Sequence, residues 1–273
     1  MKILIIEATG MVGHVVALYL QEKGHQISSY EGSLHDEKML AETLEKGQYD
    51  AVVNCAAIIN QFADEDPAEA VYINSYLPHL LEKLTKNSHT IVVHRSTDCV
   101  FSGKKGKYTV ADKPDAESFY ARTKAIGELE NPKDITIRTS LIGPEKRAEG
   151  ISLLNWFLQQ EGEVKGFANA IWTGLTTLEF AKQIEALLRK KAHGTFHLVP
   201  QKAISKHDLL HLFNQYFPKG RNIIRIENQL VDKSLQQDLG GNELHIADYQ
   251  TQIAEMAAWI KEHQELYPKY YRI

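Results

Sequence analysis

The N-terminal run Lys2-Ile3-Leu4-Ile5-Ile6-Glu7-Ala8-Thr9-Gly10-Met11-Val12-Gly13 sets the architecture. Lys2–Ile6 is a short apolar stretch rich in β-branched residues, as expected of a strand buried on both faces. Glu7–Gly10 reads as a tight turn. From Met11 to Lys23 apolar residues recur at helical spacing, and Gly24 provides the C-terminal stop. Strand, glycine-bearing turn and helix in this order make the first unit of a dinucleotide-binding fold. Gly10 and Gly13 fall where the backbone must approach a diphosphate and the helix must pack on its strand. The helix N-terminus then offers N–H groups and partial positive charge to phosphate. Position 7 would complete a Gly-x-x-Gly-x-x-Gly run, but it holds Glu7. Its carboxylate adds bulk and repels phosphate: two like charges at about 4 Å cost about 1 kcal/mol even in bulk water.

The same alternation continues downstream. Strands are expected over 25–30, 51–57, 90–94 and 135–142, and helices over 36–46, 67–87 and 119–130, with Pro78 interrupting the second of these helices. Continuous apolar strands alternating with helices mean a parallel sheet covered on both faces. The expected class is therefore α/β, a Rossmann-like doubly wound parallel sheet with a smaller C-terminal α/β lid for substrate. Residues 1–145 form the dinucleotide-binding part and 146–273 the mostly helical lid, within one continuous fold, since no Pro/Gly-rich linker separates them. In the second part helices are expected over 151–160, 178–191 (capped by Thr176 or Thr177), 205–216 and 246–264, with a strand over 195–199. Ser205 and Asp208 lie at the spacing of a capping box. These pieces are expected to cover the carboxyl ends of the strands.

Composition narrows the classes. The 273 residues are 43% hydrophobic and 24% charged, with a net charge of −4. Those are values of a soluble globular chain, and they speak against a nucleic-acid-binding surface. The N-terminal apolar run is too short for a signal peptide or a membrane span. Cys55 and Cys99 sit at strand ends and read as small core residues of a cytoplasmic protein. No spacing of His, Cys, Asp or Glu suggests a metal, and no Gly-x-Ser-x-Gly elbow is present.

The chemistry concentrates in Tyr120-Ala121-Arg122-Thr123-Lys124 and in Ser96-Thr97-Asp98, which follows the apolar run Val92-Val93. Tyr120 and Lys124 stand one helical turn apart. A neighbouring cation favours the ionised phenol and draws its pKa down from about 10, so Tyr120 can act as general acid or base. Arg138 and Trp172 are candidates for the substrate side, each weighed against plain ion pairing or packing. His94 and Arg95 read as satisfied polar groups at a strand end, and Arg147 and Lys165 as solvated charge. The second strand ends in Ser28-Ser29-Tyr30, without an acid to hold a ribose 2′-hydroxyl; Glu31 lies just beyond, and no nearby Arg selects a 2′-phosphate. The choice between NAD and NADP stays open.

These segments resemble the extended short-chain dehydrogenases/reductases, and more narrowly the dTDP-4-dehydrorhamnose reductase group of nucleotide-sugar reductases. The resemblance rests on 8–13, on Val53-Asn54-Cys55-Ala56-Ala57, on Asn74, on 96–101, on Tyr120 to Lys124 with Gly127-Glu128, and on Arg138-Thr139-Ser140; 172–177 matches less specifically. It implies an NAD(P)-dependent oxidoreductase that reduces a keto group on a nucleotide-linked sugar, a monomer or homodimer. Thr97 would be the catalytic hydroxyl, Tyr120 the general acid and Lys124 the lysine on the cofactor ribose. Thr9, Gly10, Met11, Val12, Gly13, Cys55, Ala56, Ala57 and Asn74 would line the cofactor, and Ser96, Asp98, Arg138 and Trp172 the substrate. Glu7, Cys99 and Ser33 depart from the group's pattern on the cofactor side. Glu7 points to an alternative, a non-catalytic binding or regulatory protein; the regulatory subunit of methionine adenosyltransferase resembles the same group. A nucleotide-sugar epimerase is a further alternative. Dehydration ranks lower, because no Glu accompanies Asp98.

Overall fold

The computed structural model describes residues 1–227 and 230–272. Its centre is a six-stranded, all-parallel sheet. In spatial order the strands are Gly194–His197, Ile135–Arg138, Ile91–Arg95, Ala51–Asn54, Lys2–Ile6 and Gln26–Ser29. Strand order reverses beside Lys2–Ile6, whose neighbours are the second and third strands. The crevice at the carboxyl ends of Lys2–Ile6 and Ala51–Asn54 is thus the switch point where such sheets receive ligands.

Alternation along the strands builds two cores. Ile3, Ile5, Ala51 and Val53 face one side with Val15 and Leu20 of helix Gly13–Glu22, and with Phe180, Ile184, Ile253 and Met256 from the second half. Leu4, Ile6, Val52 and Val92 face the other, against Leu40, Leu44, Leu77 and Leu81. The first core therefore runs without interruption from the N-terminal strand into the last helices. Helix Thr177–Arg189, expected over the strand ends, instead lies beside Gly13–Glu22 on a sheet face. Its Glu185 accepts from Tyr19 and meets His25 and Arg189 there. The sheet's edge strand Gly194–His197 also comes from beyond residue 145, so the second half completes the sheet as well as covering it.

Several expected elements are shorter than their patterns. The chain leaves the third strand after Asn54, not at Ala57, and helix Phe119–Ile126 stops at Gly127, not at Glu130. The strand expected over 135–142 breaks at Thr139-Ser140; Leu141–Ile142 leaves the main sheet and pairs with Leu175–Thr176. The helix expected over 67–87 is α over Pro67–Val71, π over Tyr72–Tyr76 and α again over Leu77–Thr85. Pro78 explains the change: it has no N–H for the Asn74 carbonyl four residues earlier, and its ring crowds that carbonyl. Gly127 packs on the Asn74 carbonyl, where any Cβ would collide. The expected caps Thr176 and Ser205 each accept a backbone N–H of the first turn, and Asp36 and Ser118, not singled out from the sequence, do the same. Short strands such as Glu163–Phe167 and Asn222–Ile226, paired in parallel, had no clear pattern of their own.

Candidate active site

The turn after the first strand forms a cradle. Glu7 adopts φ 61°, a left-handed conformation natural to glycine. Its carboxylate folds over Gly10, where a Cβ would stand 2.5 Å from Glu7 Oε1. Gly13 has no room for a Cβ against the Glu7 carbonyl, so the helix can start this close to the strand only with glycine. A cleft of about 310 Å³ opens at the switch point. Glu7, Thr9, Gly10, Met11 and Val12 line it, with Cys55, Ala57, Arg95, Lys146 and Arg147 among the facing residues.

Of the expected cofactor residues, Thr9 to Val12, Cys55 and Ala57 reach this cleft. Ala56 does not: it is turned into the second core, and its N–H is held by Asn54 Oδ1 at 3.2 Å. Asn74 does not either. It is fully buried, and its amide clamps the loop after the third strand, accepting from Ile58 N at 3.0 Å and donating to Ile58 O at 2.8 Å and Thr123 Oγ1 at 3.1 Å. Its place is behind the cleft wall, tying that loop to the Tyr120 helix.

A second cleft of about 260 Å³ adjoins the first and shares Met11, Ile59, Arg95 and Glu145 with it. Thr97, Cys99 and Tyr120 line it, across from Ser140, Leu141 and Ser152. Thr97 ends the strand segment in extended conformation. Its hydroxyl accepts from Cys99 N at 3.1 Å and donates to Asp98 Oδ1 at 3.3 Å. Burial pushes the Tyr120 phenol up to about 12, while the Arg95 guanidinium and the Thr97 hydroxyl draw it down. At physiological pH the Tyr120 phenol therefore keeps its proton.

Lys124 departs from expectation. It has no exposed surface; its Nζ donates to the Arg95 carbonyl at 2.7 Å and meets His94 Nε2 at 3.3 Å. Burial, helped by Arg95, holds its pKa well below that of an ordinary lysine. Arg95, which lines the same cleft as Tyr120, is the cation that draws the phenol down against burial. Sequence reasoning missed Arg95 because it closes an apolar strand run, although a charge at the carboxyl end of a central strand was the available signal. Lys146 was likewise missed, and Arg147, read as solvated charge, stands at the cleft. Lys165 lies on the exposed strand Glu163–Phe167, away from both clefts.

The substrate-side candidates are mostly engaged elsewhere. Arg138 makes a two-pronged pair with Glu128, Nε to Oε1 at 2.8 Å and Nη2 to Oε2 at 2.7 Å, and its Nη1 donates to Val110 O. Ser96 donates to the same carboxylate at 2.6 Å. Both are buried structural groups, because the interior leaves the Glu128 carboxylate no water to satisfy it. Trp172 is 3% exposed, packed against Tyr249 with the Lys206 ammonium 4.8 Å from its ring, so no open face remains to stack on a base. Asp98 is buried, which raises its pKa against the pull of Lys233 and Lys206; it contacts Thr97 and lines neither cleft.

The cradle fits a dinucleotide diphosphate in its glycine spacing, its helix start and its cations. Glu7 is the one group of the wrong sign folded over it. Burial raises the Glu7 pKa, with Arg95 and the Ala57 N–H opposing.

The family described as RmlD substrate binding domain matches residues 1–229. A probable low-salt glycan biosynthesis reductase, Agl14, of Haloferax volcanii is 26% identical over 256 residues, 85% of this chain and 83% of its own. The dTDP-4-dehydrorhamnose reductase of Burkholderia thailandensis is 29% identical over 208 residues, 72% and 70% of the two chains. Two crystal structures share the fold. A dTDP-4-dehydrorhamnose reductase from Clostridium acetobutylicum superposes with a TM-score of 0.83 at 22% identity, over 95% of this chain and 99% of that one. One from Bacillus anthracis in complex with NADP gives 0.84 at 19%, with the same coverage. The match over most of the length, on a doubly wound sheet with paired clefts at its switch point, makes this chain a member of the RmlD substrate binding domain family.

Proposed function

We propose that the protein is an NAD(P)-dependent reductase of a nucleotide-linked keto-sugar, of the kind its dTDP-4-dehydrorhamnose reductase relatives are named for. The observation that carries this reading is the adjacency of the two clefts. The glycine cradle and the Thr97–Tyr120 surface share a wall at Met11, Ile59 and Arg95, so a cofactor held in the first cleft would adjoin the second. A bound nicotinamide supplies hydride to a carbonyl carbon. The chain's own part is proton transfer and charge stabilisation at the oxygen. Tyr120 gives its phenolic proton to the developing alkoxide. Thr97, already oriented by Cys99 N–H, turns its hydroxyl from Asp98 toward the same oxygen, stabilising charge that appears in the transition state. Lys124 supports the site from beneath by holding the Arg95 carbonyl. Residues 1–145 supply most of the cofactor cleft on this reading, with Lys146 and Arg147 added from the second half, and Ile151, Ser152 and Leu153 join Ser140 and Leu141 on the substrate side. Both cysteines are free, which favours a reducing cytoplasmic setting. Among the described residues no helix is long and apolar enough to cross a membrane.

Glu7 in the cradle favours the alternative of a binding protein without turnover. The two separate in one experiment: cofactor deuterated at the transferring carbon, mixed with a dTDP-linked 4-keto-6-deoxy-sugar. Deuterium on the sugar carbon and net loss of reduced cofactor establish the reductase. An unlabelled sugar with cofactor intact rejects it, and a changed sugar without net cofactor loss identifies an epimerase.

A further inference from the structure

The cradle contains two charged groups that the glycine pattern does not call for. Glu7 lies at the end of the first strand in a left-handed conformation, its carboxylate over Gly10. Arg95 lies at the end of the fourth strand and lines the same cleft. Its Nη2 donates to Cys55 O at 3.1 Å, while its Nε is buried without a protein partner. No ion pair within 4.0 Å joins Glu7 to Arg95 among the described residues; the Glu7 carboxylate accepts from the Ala57 N–H, and Arg95 keeps its Nε for a third group. The other acid of the cleft, Glu145, is engaged within its own loop, accepting from Ser152 N at 2.6 Å. Glu7 is therefore the one carboxylate here turned toward the glycine turn, and Arg95 is anchored by a single hydrogen bond.

An anion entering between the turn and Arg95 meets both. We propose that Glu7 and Arg95 are an opposed pair that sets the affinity for the dinucleotide: Glu7 weakens its hold on the diphosphate, and Arg95 restores it. This inference rests on the reading of the first cleft as the cofactor site. It assigns to Arg95 a direct binding role that its position at the end of an apolar strand concealed. It also explains how a carboxylate can stand in a phosphate cradle while Tyr120 and Thr97 stay in place. The charge added at residue 7 has a counter-charge at residue 95, and Lys146 and Arg147 add two more cations at the same cleft. The protein around it desolvates the Glu7 carboxylate, yet the residue keeps solvent-exposed surface at the cleft, so the side chain can swing outward when the diphosphate arrives.

Opposite charges at similar distances from one ligand shift its affinity in opposite directions by comparable factors. Dissociation constants for NADPH, NADH and ADP should be measured on the wild type, Glu7→Gln, Arg95→Met, Arg95→Lys and the Glu7→Gln/Arg95→Met double variant. Removing one like charge near 4 Å is expected to tighten binding about fivefold or more. Arg95→Met should weaken it by a similar factor, the double variant should return close to the wild type, and Arg95→Lys should stay near it. ADP should follow the same shifts, and adenosine, which carries no phosphate, should not. An unchanged constant for Glu7→Gln overturns the inference while leaving the cofactor reading intact. Equal losses in Arg95→Met and Arg95→Lys overturn it too, since shape and not charge would then be at work. If neither the wild type nor Glu7→Gln binds any dinucleotide, the cofactor reading fails and this inference fails with it.

Discussion

Lys124 lies directly beneath Arg95, its Nζ donating to the Arg95 carbonyl at 2.7 Å with no surface of its own at the cleft. The Tyr-x-x-x-Lys pattern thus brings two residues to one helix face but to different depths. Tyr120 borders the cleft and Lys124 supports the strand end below it. Any role of Lys124 in holding a ribose requires it to leave this bond, whereas its role in fixing Arg95 needs no movement.

Tyr120→Phe removes the proton donor and keeps the ring that packs with Ala63 and Ala70. Turnover should fall about 10²–10⁴-fold, with cofactor affinity and the urea midpoint near wild type. Full turnover in this variant would exclude Tyr120 as the acid.

Glu128→Gln leaves the Arg138 guanidinium buried with an incomplete partner, since Arg138 is 5% exposed and Glu128 7%. Breaking such a pair costs about 3–5 kcal/mol, whereas replacing both members with apolar residues recovers much of it. Denaturant unfolding of Glu128→Gln and of Glu128→Leu/Arg138→Met provides the check. A negligible loss in the single variant would mean that water reaches the pair.

Gly127→Ala forces a methyl group against the Asn74 carbonyl. Helix Phe119–Ile126 must then shift, at about 1–3 kcal/mol. Tm should fall and turnover should fall with it, because Tyr120 rides on that helix. A wild-type Tm would mean that the helix end has slack that the packing does not show.

His14 and His197 are buried, and burial lowers each to about 4, with Lys146 adding to the effect at His14 and Arg138 at His197. Their unfolded pKa is about 6.5. Between these values the unfolded chain binds the proton and the folded one does not. Stability from this source is present above about pH 6.5 and is lost as pH falls toward 4, on the order of 2 kcal/mol per histidine between about pH 7 and pH 5. Urea midpoints at the two pH values test it, and His14→Gln or His197→Gln should flatten the slope. Equal midpoints in the wild type would show that the rings are protonated or solvated in the folded state.

The parallel sheet was legible because its strands are buried on both faces and therefore apolar throughout, as in Lys2–Ile6 and Ala51–Asn54. Two helix starts were legible through single side chains, Thr176 and Ser205, that bond to the first turn. Local sequence holds less about depth. Nothing in Tyr120 to Lys124 tells that the lysine is sealed off, because Arg95 and His94, distant in sequence, decide it. Arg138 and Ser96 sit in the right segments but are claimed by Glu128, a pairing formed only when a helix end meets two strands. The two- and three-residue strands of the second half carry too few residues for a period to register, and Glu163–Phe167 and Asn222–Ile226 interleave charged residues, so partners far along the chain define them.

The central test is cofactor oxidation. Purified protein, given NADPH or NADH and a dTDP-linked 4-keto-6-deoxy-sugar, should lose reduced-nicotinamide absorbance in proportion to sugar reduced, with Tyr120→Phe slower by about 10² or more. Saturating concentrations of both cofactors with no absorbance change in the wild type, and none in Glu7→Gln, would contradict the assignment of the paired clefts to reduction.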